Sequence, residues 1–186
     1  KILSFESAEA GYLEDRFPAR AIVMRHEYLL EAPTNGIFQP AVEERQRVVA
    51  GSVIGHVMDS AGQKTAVKAP QAGLVLYSLD GAEVLVSLDI LKDMDIVQLF
   101  NLFPLDEIKG MDHHSVTKGQ PVGKIVDNLK DYTVLLSVYP TEGEVPQEGP
   151  VTFYPDGSTA PIEGQIQDHL EKNGTNYLVV TVSSKE

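Results

Sequence analysis

Glu31-Ala-Pro-Thr-Asn-Gly-Ile-Phe38 returns downstream as Lys68-Ala-Pro-Gln-Ala-Gly-Leu-Val75, which sets Ala32 on Ala69, Pro33 on Pro70 and Gly36 on Gly73. A second echo pairs Val48-Val-Ala-Gly-Ser-Val-Ile-Gly-His-Val-Met-Asp59 with Val116-Thr-Lys-Gly-Gln-Pro-Val-Gly-Lys-Ile-Val-Asp127, matching Val48 with Val116, Gly51 with Gly119, Gly55 with Gly123 and Asp59 with Asp127. The chain therefore contains one unit written twice. Each copy opens on Ala-Pro-x-x-Gly and closes on Val-x-x-Gly-x-x-x-Gly, and an internal repeat constrains the architecture before any single residue does.

Working outward from the repeat, each copy reads as a set of short strands. Proline fixes the entry to the first strand, and the glycine three residues on allows a turn or a close backbone approach. Ile37-Phe-Gln-Pro-Ala-Val42 and Leu74-Val-Leu-Tyr-Ser-Leu79 are apolar runs of strand length, and Val53–Met58 and Val122–Val126 are the closing strands. Glu43-Glu44 and Asp80-Gly81 read as turns between them. Neither copy has enough strands to bury a face of its own, so the two are expected to pack about a pseudo-two-fold axis into one small sandwich.

The second copy is interrupted. Between 88 and 115 lies an insertion in which Leu88, Leu91, Met94, Val97, Phe100 and Phe103 recur every three residues. Ser87 or Asp89 is placed to cap a helix and Pro104 to stop it, giving about four turns with one apolar stripe. The stripe is read as a lid over an open end of the sandwich, with a partner-docking helix presenting Leu91, Met94 and Phe100 as the alternative. Beyond Leu129 the pattern changes to longer alternating runs: Tyr132–Tyr139, Val151–Tyr154, Ile162–Gln167 and Tyr177–Ser183. They are separated by the turn signals Glu142-Gly, Asp156-Gly and Lys172-Asn-Gly-Thr. Four strands close poorly into a barrel, and the stretch Leu13–Met24 is a source for another.

Composition fits a globular, strand-rich chain: 186 residues, 42% hydrophobic and 23% charged, with glycine and proline punctuating short apolar runs. A formal net charge of -12 argues against nucleic acid and against adsorption to anionic lipid, because a phosphate surface calls for clustered Lys and Arg. Without cysteine there is no disulfide framework and no thiolate metal site. No apolar run reaches the roughly 18 to 20 residues of a membrane span. The chain begins at Lys1 rather than methionine, so an anchor segment upstream of it is an expectation.

Candidate chemistry is thin. His113 and His114 stand beside Asp112, but neighbours on an extended chain point to opposite sides and no third ligand stands at a useful spacing, so no metal site is expected. Glu43-Glu44 and Asp106-Glu107 read as solvated turn charges, since nothing adjacent would desolvate one of a pair. No serine has a nucleophile-elbow context and no glycine-rich phosphate loop precedes a helix, so no catalytic residue is expected.

Two halves joined by a hairpin, each opening on Ala-Pro-x-x-Gly, resemble the barrel-sandwich hybrid of biotinyl and lipoyl domains. A longer resemblance, over about 10 to 186, is to the membrane fusion proteins, the periplasmic adaptor subunits of efflux and type I secretion systems, in their hemolysin-secretion-like branch. It is carried by Ile22-Val-Met-Arg-His-Glu-Tyr-Leu-Leu-Glu-Ala-Pro33, leading into the first half, and by Val116–Asn128, leading out of the second. The resemblance implies an all-β chain: an N-terminal stretch over 1–24 that pairs into a barrel, a barrel-sandwich hybrid over 25–128 and a small β-barrel over 129–186. It implies an adaptor, not an enzyme, without cofactor, at the extracytoplasmic face of the cytoplasmic membrane. Its partners would be an inner-membrane transporter or permease and copies of itself. The joint between the halves, Met58 to Val67, is too short for the long helical hairpin with which some adaptors reach a distant channel; as a β-hairpin it projects at most about 17 Å at roughly 3.3 Å per residue. Asp59, Ser60, Gln63 and Lys64 in this hairpin are candidate partner contacts. Two other classes remain: a biotin or lipoate carrier, in which Lys64 would be the modified lysine although the expected tip falls near Ala61 or Gly62, and a structural cell-envelope binding module.

Overall fold

The computed structural model describes residues 15–79, 95–102, 115–139 and 143–184. Within the repeat the strands are β2 (Glu27–Glu31), β3 (Gly36–Pro40), β4 (Arg47–Val48) and β5 (Val53–Met58) in the first half, then β6 (Lys64–Lys68), β7 (Gly73–Leu76), β8 (Ser115–Val116) and β9 (Pro121–Val126) in the second. They form two four-stranded sheets, ordered β2-β9-β7-β4 and β6-β5-β3-β8. Exchanging each strand for its repeat mate turns one order into the other. The pseudo-two-fold axis therefore swaps the sheets, and each sheet draws strands from both halves.

The repeated residues explain this interlocking. Gly51 N donates to Ala69 O and Gly119 N to Ala32 O, both at 2.8 Å, while Ala69 N reaches Ser52 O and Ala32 N reaches Gln120 O, both at 2.9 Å. Each Val-x-x-Gly turn thus clamps the Ala-Pro entry of the other half, with φ of 83° at Gly51 and 81° at Gly119, where a side chain would be strained. The closing strands carry matched register shifts, one between Val53 and Gly55 against β6 and one between Leu30 and Glu31 against β9. These bulges turn Ile54 and Val122 into the interior, where both are fully buried beside Phe38, Val57, Val75 and Ile125. Phe38 and Tyr77 tilt against each other with centroids 6.0 Å apart, and the Tyr77 hydroxyl donates to Val42 O at 2.8 Å, so the ring is buried with its polar end satisfied.

The remaining strands are β1 (Ala19–Met24), β10 (Tyr132–Val138), β11 (Gly149–Phe153), β12 (Ile162–Lys172) and β13 (Thr175–Val182). They make one five-stranded antiparallel sheet, β1-β10-β13-β12-β11. The segment ahead of the repeat supplies β1, which pairs Ala19 with Val138 through Met24 with Thr133. The β12–β13 connection turns on Asn173 (φ 55°) and Gly174 (φ 76°), the two consecutive left-handed residues a tight hairpin needs. Val134, Leu136, Ile166, Leu178 and Val180 fill the inside of this curled sheet.

The helix of the insertion, α1 (Ile96–Leu102), differs from the sequence expectation in place. Leu99 and Phe100 pack with Met24, Leu135 and Tyr177 on the outer face of the five-stranded sheet rather than over an end of the sandwich. The physical reason is that this sheet is apolar on both faces: Val134-Leu135-Leu136 and Leu178-Val179-Val180 alternate inward and outward without a polar position between them, so the outer side also needs cover. Asp95 caps the helix, its Oδ1 accepting from Val97 N at 3.0 Å. The stripe residues Leu88, Leu91, Met94 and Phe103, the caps Ser87 and Asp89 and the stop Pro104 lie outside the described residues.

Candidate partner-contact surfaces

The hairpin between β5 and β6 is built by Asp59. Its Oδ1 accepts from Ala61 N and Gln63 N, both at 2.9 Å, while its own N and O bond Gln63 O and Gly62 N at 3.0 Å. Gly62 takes φ 82°, closing the loop. Asp59 is thus half-buried and occupied with holding the turn, an Asx arrangement marked in the sequence by Asp followed by a glycine three residues on. Ser60 and Gln63 are exposed around it. Lys64 is exposed but sits in strand β6, paired with Met58, so Ser60–Gly62 form the tip in its place.

On α1, Phe100 is only 5% exposed, its ring 5.8 Å from that of Tyr177 and 5.9 Å below the Arg20 guanidinium. Arg20 Nη2 also donates to Phe100 O at 3.4 Å. Phe100 is therefore packed against the sheet; Leu91 and Met94 lie outside the described residues. An ion pair not foreseen from sequence ties the helix start to the β12–β13 hairpin: Lys172 Nζ stands 2.9 Å from Asp95 Oδ2. The Lys172 hydrogen bond, reinforced by Val97 N, holds the Asp95 carboxyl below the usual carboxylate range.

A second unforeseen pair lies in the sandwich. Lys124 on β9 is buried, with Nζ 2.8 Å from Glu27 Oε2 on β2. The half-repeat gives no hint of it, because the position matched to Lys124 carries His56.

The edges of the five-stranded sheet form a third surface. Ala19, Ala21 and Val23 on β1 are exposed, Val23 by 51%, and at the far edge Tyr154, just past β11, lies 5.1 Å beneath the Arg16 guanidinium. Such strands offer unpaired backbone groups. Glu43 and Glu44 are exposed, and Glu44 accepts from Ser78 Oγ at 3.2 Å. Among the described residues no three His, Cys, Asp or Glu are grouped as metal ligands. Asp106, Glu107, Asp112, His113 and His114 lie outside those residues. No helix among the described residues is long and apolar enough to cross a membrane.

Comparison with known proteins gives three results. No curated protein matches the chain. A similar solved structure is that of ZneB from Cupriavidus metallidurans, 11% identical over 88% of this chain and 89% of that one, with a TM-score of 0.43. The family model described as "RND related, barrel-sandwich hybrid domain" matches residues 27–127, from the first residue of β2 to Asp127, the last residue of the second echo. The chain belongs to the RND-related barrel-sandwich hybrid family, whose members are membrane fusion, or adaptor, proteins.

Proposed function

We propose that the chain is the extracytoplasmic adaptor subunit of an export or efflux system, held at the outer face of the cytoplasmic membrane and acting through protein contacts rather than turnover. Family membership supports the adaptor role, and the periplasm is where membrane fusion proteins of RND systems work. We divide the chain accordingly into a sandwich over 25–128, with its insertion at 88–115, and a barrel over 129–186 completed by 1–24. The single observation that carries the finer reading is the joint between the halves. It is a five-position turn, Asp59 to Gln63, closed by its own hydrogen bonds, and it has no arms to span tens of ångströms. The adaptor then works beside its membrane, meeting a transporter or permease and its own copies.

Photoreactive residues at Ser60 and Gln63, crosslinked in native membranes, test this reading. The expected product contains an inner-membrane partner or a second copy of the chain; capture of an outer-membrane channel overturns the short reach. The carrier alternative is tested separately. Expressed in a host with active biotin and lipoate ligases, the protein is expected to keep the mass of its sequence, whereas a stoichiometric addition abolished by Lys64→Ala would put the carrier reading first.

A further inference from the structure

The chain crosses between the sandwich and the curled sheet twice, at Arg25-His26 and at Asp127–Asp131, and the crossings lie side by side, with Asp127 N donating to His26 O at 2.9 Å. A crevice of about 320 Å³ opens beside them. We propose that it binds a small amphipathic organic anion, an apolar body carrying a carboxylate or sulfonate. This goes beyond the adaptor reading and does not rest on it.

The crevice has an apolar patch among polar lining residues. Tyr132, Ile162 and Val182 line it, and all three belong to the inner packing of the five-stranded sheet, so their positions are fixed by a core rather than by a loop. Its volume lies at the small end of the roughly 300 to 1,000 Å³ of small-molecule sites, room for a fused ring or two and not for a folded segment. Charge at the rim is set by Arg25, Lys130 and Asp127. Lys130 and Asp127 are 3.6 Å apart and offset each other, and Asp127 Oδ1 also accepts from Leu129 N at 3.2 Å. The two serine hydroxyls at the mouth are engaged as well, Ser183 with Asp131 and Ser184 with Leu129 O.

Arg25 is different. Its guanidinium lies 4.5 Å over the Tyr132 ring, and among the described residues it has no hydrogen-bond acceptor. The guanidinium donors, held near the ring and without an acceptor among the described residues, are available to a planar or tetrahedral oxyanion. A guanidinium without an acceptor among the described residues, beside an apolar patch, selects a ligand with one anionic head and an apolar body.

Titration of the whole chain with naphthalene-1-sulfonate, followed by amide nuclear magnetic resonance, tests the site. Saturable one-to-one shifts are expected at Tyr132, Ile162 and Ser183. Arg25→Gln should weaken binding at least tenfold, Arg25→Lys should fall between, and neutral 1-naphthylmethanol should bind at least tenfold more weakly than the sulfonate. Arg25 is exposed, so both variants are expected to keep the wild-type spectrum elsewhere, which separates a lost site from a lost fold. Absence of saturable binding overturns the proposal. So does wild-type affinity in Arg25→Gln or for the alcohol, or shifts confined to the α1 face around Phe100.

Discussion

The repeated glycines show how far single residues decide this fold. A Cβ on Gly55 would stand 2.6 Å from Gln39 O and 2.7 Å from Phe38 Cε2; on Gly123, its mate, 2.8 Å from Leu76 O and 3.2 Å from Tyr77 Cδ1. Both sit where a closing strand passes under its neighbour, and in each case the nearest obstacle is a carbonyl that cannot rotate away. Gly55→Ala should therefore destabilise by about 1–3 kcal/mol, the range for overpacking, and Gly123→Ala by less because its aromatic neighbour is farther off. Urea unfolding of the two variants gives the order directly. Lys124 and Glu27 permit a second comparison. Glu27→Gln removes one partner of a mostly buried pair and leaves an ammonium in a largely dry site, whereas Lys124→Met together with Glu27→Leu removes both charges. The single change should cost up to about 3 kcal/mol and the double change less, since the single change weakens the compensation of a buried ammonium that the double change removes. If the double variant unfolds more easily than the single, the pair contributes attraction beyond its own desolvation.

At the scale of elements, α1 is a short helix whose stability comes from what it covers. Seven residues hardly sustain a helix alone, so Phe100→Ala, which empties the contact with Tyr177, should release the helix from the sheet at a cost of about 3 kcal/mol. Amide exchange should rise in α1 while the sandwich strands keep their protection. The Asp95–Lys172 pair adds a pH dependence of definite sign. A carboxyl held below its ordinary range in the folded state contributes fully above the unfolded value and loses that contribution as pH falls through the lower folded value. Docking of α1 should weaken only below about pH 4, and Asp95→Asn, which keeps a capping oxygen but not the charge, should flatten that dependence. Both groups are substantially exposed, so added salt should shrink the effect. The insertion also marks the limit of what sequence showed. Its stripe told which face of the helix was apolar but not which surface would receive it. The receiving face was written in Val134-Leu135-Leu136 and Leu178-Val179-Val180, runs without alternation that signal a strand covered on both sides. The bulges at Ile54 and Val122 left no mark, because a bulge is a matter of register between strands rather than of residue type. The Ala-Pro-x-x-Gly and Val-x-x-Gly-x-x-x-Gly units were legible because turn glycines and entry prolines have few substitutes. Arg25, by contrast, gave no signal, since its site exists only where two chain crossings meet.

For the whole molecule, the decisive property is that the pseudo-two-fold axis exchanges the sheets. Strand β9 of the second half lies between β2 and β7, and β5 of the first lies between β6 and β3. Each half, taken alone, has lost the closing strand it pairs with and the turn that clamps its Ala-Pro entry. Such a fragment retains one pairing of a closing type, β3 with β5 in the first half or β7 with β9 in the second, and a lone two-stranded pairing is marginal in water. Cutting the chain at Ser60–Gly62 should therefore leave neither piece folded in its sandwich part, although the break falls in an exposed turn whose loss costs few contacts. Mixed or co-expressed, the pieces should reassociate, because all the strand pairings except the β5–β6 turn hydrogen bonds survive the cut. The expected result is a first-half fragment, residues 15–60, without cooperative thermal unfolding or dispersed amide resonances, and recovery of both when the remainder of the chain is added. Cooperative unfolding of the first-half fragment alone would show that one repeat can bury its own face, and the interlocking of sheets would then be a consequence of duplication rather than the condition for folding.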